Sequence, residues 1–255
     1  MADTSDSRPP RGADTTSATP LRWVRPPQQA RSQETLERIL DAAEQLVGEK
    51  GFDDTPISEI VSRAGSSVGA FYSRFDDKSA LLHALYERYV QQALATADEA
   101  LDPSRWAGAS VAEIIDAVVR FLVEIYRDQG GLIRAFVMRN HVDPSFQARR
   151  ERLSHRVSEG LSELLLAHPD EIAHPDPARA AAFGMTLVFS TLDNTMLFGE
   201  MRSGAFQLSD EDLATELTRT YLAYLGIPVS HSTTQNPSHA TKGSAAAPIR
   251  SEESS

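Results

Sequence analysis

Chemistry by side chains acting together is poorly supported in this chain. His141 and Asp143 flank Val142, and His168 and His174 bracket a proline-rich loop, but neither pair has the spacing of helix-borne metal ligands. Ser154–His155 sets a hydroxyl beside an imidazole, yet adjacent residues on a helix point apart. The sequence contains no glycine loop for phosphate and no dinucleotide fingerprint. With no cysteine there is no thiolate zinc site and no thiol nucleophile. No enzyme, no metal and no cofactor are therefore expected, and the absence of cysteine fits a reducing cytoplasm.

One stretch is chemically distinctive for what it lacks. Residues 60–75 contain Arg63 and Arg74 and no acid, although Glu59, Asp76 and Asp77 stand on its flanks. The whole chain carries a net charge of −11, which argues against a protein that coats nucleic acid non-specifically. Excluding carboxylates from one short stretch is what a local phosphate-facing surface requires, because a desolvated carboxylate beside phosphate is repelled. Ser67, Gly69 and Ala70 are small enough for close approach to base edges, and Gly69 otherwise costs about 1 kcal/mol of helix propensity. Tyr72 has a hydroxyl to donate, and Lys78 brings a charge to the first turn of the next helix.

The elements that hold these residues read as helices. Leu36, Ile39, Leu40, Ala43, Leu46 and Val47 follow the spacing of an amphipathic helix, with Gly51 as its stop. In "TPISEIVSRAG", Thr55 is placed to cap a short helix, Pro56 suits its first position, and Gly65 ends it. Ser67 is placed to cap a third helix, with Val68, Phe71 and Phe75 on one side. A long helix starts near Asp77 and ends by Asp102–Pro103. Five further helical patterns occupy about 110–127, 130–141, 144–167, 177–201 and 209–225. No convincing strand pair is found, so the expected fold is all-α with about nine helices. Two short helices joined by a tight turn and braced by longer ones make a helix-turn-helix candidate.

The segment "ILDAAEQLVGEKGFDDTPISEIVSRAGSSVGAFYSRFDDKSALLHALYERY", about 39–89, resembles the N-terminal DNA-binding domain of TetR-family transcription regulators. The resemblance rests on an amphipathic helix ending "GEKGF", a Thr-initiated short helix, "AG" at the turn, and "GAFYSRFDDKSALL" after it. It implies a homodimer reading a pseudo-palindromic operator in double-stranded DNA. It places Ser58, Ser67, Val68, Ala70, Tyr72, Ser73 and Arg74 toward DNA, Lys78 on phosphate, and Phe71 and Phe75 in the core. Ser66 departs from the family, which usually has a small apolar residue there. Base readout normally uses Arg, Asn, Gln or Lys, whereas this face is mostly Ser, Val and Ala. Specificity would then rest on thymine methyls and DNA shape. Residues 1–31 read as a disordered arm holding Arg8, Arg11, Arg22, Arg25 and Arg31, a candidate for minor-groove contact.

The resemblance divides the rest into a helix-turn-helix domain at 32–78, an effector-binding and dimerisation domain at 79–226, and a tail at 227–255. The segment 180–199 is apolar nearly all round. With the helix carrying Leu213, Leu217, Tyr221 and Leu225, it is the expected dimer interface. Phe121, Ile125, Phe136, Met138, Phe183 and Phe189 are candidates to line a pocket for a small-molecule effector, with Tyr126, Arg139 and Asn194 as polar anchors. Arg139, if buried, needs an anionic partner. A repressor released by an effector is the leading expectation. An all-α dimer that acts through protein partners, with the helix-turn-helix as scaffold, is the alternative.

Overall fold

The computed structural model describes residues 30–140, 142–198, 202–203 and 206–228. The expectations for the arm before residue 30, the tail after 228, His141 and the end of the 177–201 pattern lie outside these residues. Nine α-helices are described: α1 Ala30–Lys50, α2 Ile57–Arg63, α3 Val68–Tyr72, α4 Lys78–Ala100, α5 Val111–Asp128, α6 Gly130–Asn140, α7 Pro144–Leu166, α8 Pro177–Phe198 and α9 Asp210–Leu225. Between α8 and α9, Arg202–Ser203 and Phe206–Gln207 pair antiparallel. Two residues per strand are too few for an alternating pattern, which is why no strand was legible in the sequence. None of the described helices is long and apolar enough to cross a membrane.

Local chemistry sets most of the helix ends. Gly51, with φ +85, turns the chain out of α1. Ser67 accepts from the Ala70 N–H to start α3, and Asp77 accepts from the Ala80 N–H to start α4. Ser110 with Glu113, and Ser209 with Asp212, form capping boxes on α5 and α9. Thr55 does not cap α2. Its side chain is fully buried, and its hydroxyl reaches the Leu46 and Gly51 carbonyls at 3.3 and 2.7 Å. The Gly51 carbonyl lies just past the end of α1, so the hydroxyl fastens the 50–54 loop back onto that helix.

The helices share two cores. One gathers Leu36, Ile39, Leu40, Leu46 and Val47 of α1 with Ile60, Phe71, Phe75 and the first half of α4. Each large apolar side chain buried there contributes about 1.5–3 kcal/mol. This core also takes in Leu132, Ala135 and Phe136 from α6 and Phe146 from α7. The other core joins the end of α4 to α5, α7, α8 and α9. Helix α4 thus runs through both, and α6 packs against α1 on one side and α8 on the other.

Candidate nucleic-acid interface and ligand cavity

The α2–turn–α3 unit presents a small outward surface. Phe71 and Phe75 are fully buried, their rings tilted against each other 5.1 Å apart, and hold α3 down in the core formed with α1 and α4. Val68 and Tyr72 are left 47% and 48% exposed. The periodicity that grouped Val68 with the phenylalanines therefore fails at this residue: three positions before Phe71, on a helix of one and a half turns, it sits at the rim. Ser58, Ser67 and Ser73 are exposed and Ala70 is half-buried. Gly65, with φ +57, makes the turn between the two helices, a conformation that strains any residue bearing a β-carbon. Ser66 is half-buried, and its N–H bonds the Val61 carbonyl at 2.8 Å, so the backbone carries the turn where the family usually has an apolar side chain.

The basic side chains of this surface are all engaged. Arg63 pairs with Glu49 at 2.6 Å. Arg74 is half-buried: one guanidinium nitrogen donates to the Ala70 carbonyl at 2.7 Å, and another reaches the Ser32 carbonyl and hydroxyl at 3.0 and 3.1 Å. It ties the end of α3 to the first turns of α1 in place of hanging free. Lys78 lies 4.4 Å from the centre of the Phe52 ring and donates to the Phe52 and Asp53 carbonyls. Burial lowers its pKa from the ordinary value, with Asp53 and Asp54 opposing. The candidate interface is thus a surface whose cations are held in place and on which Val68 and Tyr72 stand exposed.

Behind it, α4, α5, α6, α7 and α8 line a half-open cavity of about 180 Å3. Engineered cavities of about 150 Å3 accept benzene, so the space suits a compact ligand. Tyr86, Tyr89, Phe121, Phe136 and Phe189 give it an aromatic wall. Tyr86 meets Phe136 tilted at 4.4 Å and stacks on Phe146 at 4.9 Å, and Tyr89 lies 5.5 Å from Phe136. Burial pushes the Tyr89 hydroxyl up to about 12 and Tyr86 higher still. At one end Tyr126 donates to Asp193 at 2.8 Å, and Arg150 pairs with the other oxygen of the same carboxylate. Burial first, and then Asp193, raises the Tyr126 pKa well above its usual value, so the phenol stays protonated.

Of the residues expected to line a pocket, Phe121, Ile125, Tyr126, Phe136 and Phe189 meet in this cavity. The other four stand elsewhere. Met138 and Arg139 line a separate cleft beside the 50–54 loop. There Arg139 is half-buried with its guanidinium 5.7 Å from the Phe52 ring centre, a cation–π contact in place of the expected anion. Phe183 is 52% exposed and rests on Tyr224 at 5.2 Å, and Asn194 faces outward from α8. The sequence reading missed Asp193, Arg150, Tyr86 and Tyr89. Asp193 had a signal: it is the only charged residue between 180 and 199. The Ser154–His155 pair is split, with Ser154 on the cavity wall and His155 pairing outward with Glu159 at 3.1 Å.

A braced helix-turn-helix joined to a helical body with a half-open cavity is the architecture of helix-turn-helix transcription regulators. Residues 39–85 match the family model for bacterial regulatory proteins of the tetR family, and residues 110–225 match the tetracyclin repressor-like C-terminal domain. The chain belongs to the TetR family. The uncharacterized HTH-type transcriptional regulator YvdT of Bacillus subtilis is 43% identical over 58 residues, 23% of this chain and 30% of that protein. The regulator AcrR of Shigella flexneri is 41% identical over 56 residues, 22% of this chain and 26% of that protein. The chain therefore matches less than a third of the length of these relatives. Among solved structures, a TetR-family regulator from Mesorhizobium loti shares the fold at TM-score 0.60 and 20% identity, over 78% of this chain and 98% of that one. GusR of Salmonella enterica does so at TM-score 0.54 and 22% identity, over 75% and 95%.

Proposed function

We propose that the chain is a repressor that binds a pseudo-palindromic operator as a homodimer and is released by a small molecule entering the cavity. In this reading residues 32–78 bind DNA and residues 79–226 bind effector and partner subunit. One observation carries it: Tyr86 and Phe136 belong to the core under the helix-turn-helix and also line the cavity. A ligand pressing on that aromatic pair is in contact with the packing that positions α3. It shifts operator affinity only as far as its affinity differs between the two conformations.

Ser58, Ser67, Val68, Ala70, Tyr72 and Ser73 form the DNA surface, with Val68 offering an apolar contact to thymine methyls. Arg74 and Lys78 fix its geometry and add positive charge. The dimer forms through α8 and α9, whose outward residues Phe183, Phe198 and Tyr224 are exposed in the single chain. The direct test is a gel shift on DNA upstream of the chain's own gene, with the wild type and the Tyr72→Ala/Lys78→Ala variant. A shift lost in the variant supports the reading. An equal shift for both proteins removes these residues from the interface.

A further inference from the structure

The cavity wall is largely apolar, and among the described residues the only Asp, Glu, Lys or Arg side chains lining it are Arg150 and Asp193. They are unequal partners. The Asp193 side chain is 11% exposed and its Arg150 partner 41% exposed. Asp193 is fixed on α8 and held from the other side by the Tyr126 hydroxyl at 2.8 Å. Arg150 stands at the water-facing end on a long flexible stem, so it can swing into solvent and keep its hydration. Asp193 has no such exit, and an unpaired carboxylate in these surroundings is costly.

This asymmetry selects among ligands. A cation entering the cavity replaces Arg150 at Asp193, so the buried carboxylate stays paired. Tyr86, Tyr89 and Phe136 on the same wall supply aromatic surface, which attracts a cation more than a neutral or anionic group. An anion that captured Arg150 would strip Asp193 of its counter-charge, and a neutral molecule would gain apolar contact alone. We propose that the cavity binds a compact organic cation, an amine or quaternary ammonium on an aromatic or aliphatic body, with its charge on Asp193. The proposal rests on the reading of this cavity as the effector site.

Three probes of similar shape and different charge test it by calorimetry on the full chain: phenethylammonium, 2-phenylethanol and 3-phenylpropanoate. The cation is expected to bind at least tenfold more tightly than the other two. Asp193→Asn removes that preference. Arg150→Gln, which deletes the competing cation at a half-exposed site, strengthens phenethylammonium severalfold and so gives a gain that misfolding cannot mimic. Tighter binding of the propanoate, equal binding of all three, binding of none, or weaker cation binding by Arg150→Gln overturns the proposal. Operator release is read in parallel. Cation binding without release contradicts the effector reading and leaves the ligand class standing; release by the propanoate alone does the reverse.

Discussion

Gly131 at the start of α6 lies against Gly48 near the end of α1 so closely that a β-carbon on Gly131 would stand 2.4 Å from the Gly48 carbonyl oxygen. The contact is backbone to backbone, with no flexible side chain that could yield. It seats α6, which carries Phe136 into the cavity, directly on the helix that supports the helix-turn-helix.

The two glycines are not equivalent, and their alanine variants are expected to behave oppositely. A β-carbon on Gly48 has no atom within 4 Å. Gly48→Ala should therefore raise stability by up to about 1 kcal/mol through helix propensity. Gly131→Ala forces α6 off α1 and should cost about 1–3 kcal/mol. Urea denaturation of both variants measures the difference, and equal effects would refute the close contact.

Arg74 should act through position as well as charge. Arg74→Ala breaks the tie from α3 to Ser32 and should lower stability by about 1 kcal/mol together with operator affinity. Arg74→Lys keeps the charge without the planar fork and should not restore either quantity. Full rescue by lysine would leave Arg74 as a simple phosphate contact.

Charge placed at Phe183 should split the proposed dimer. The side chain is exposed in the single chain, so Phe183→Glu leaves the fold of the protomer intact. Light scattering after size exclusion should then report a monomer with unchanged helical circular dichroism. A dimer that persists would move the interface away from this part of α8.

Acid should destabilise the protein before its carboxylates titrate. Burial lowers the pKa of His83 from 6.5, only partly opposed by Asp143. The Asp143 oxygen is 3.1 Å from Nε2, so the neutral tautomer donates to it. The unfolded chain takes up a proton near 6.5 while the folded chain does not, so stability falls as pH drops below that value. Asp143 and Glu87 extend the loss into the carboxylate range. Burial opposes their shifts, but hydrogen bonds from Ser145 and from Arg149 hold both pKa values below ordinary. His83→Gln should flatten the slope of unfolding free energy between pH 7 and about 5. An unchanged slope would show that His83 titrates normally.

What was legible in the sequence follows from how each signal is encoded. The α1 stripe from Leu36 to Val47 is buried as its spacing implies, since burial of a helix face is written at a fixed period. The cap residue Ser67 acts locally and is readable for that reason, whereas the caps formed by Ser110 and Ser209 emerge only in the structure. Thr55 has the right type for a cap, but its hydroxyl turns back to the Gly51 and Leu46 carbonyls, four and nine residues earlier, in place of the helix that follows it. In the cavity, two of the errors are errors of phase. Met138 lies about 200° around α6 from Phe136, and Asn194 about 100° around α8 from Asp193, so neither shares its neighbour's face. Arg150 was invisible because one arginine in a run of basic residues gains meaning only when α8 brings Asp193 to it.

The most direct measurement is selection of genomic fragments by the full chain, followed by anisotropy titration of the recovered DNA. The expected result is one pseudo-palindromic sequence, bound by a dimer, with affinity reduced at least tenfold in Tyr72→Ala/Lys78→Ala and unchanged in Phe121→Leu on the cavity wall. Enrichment of no sequence, or binding that is indifferent to Tyr72 and Lys78, would contradict operator recognition by this helix-turn-helix.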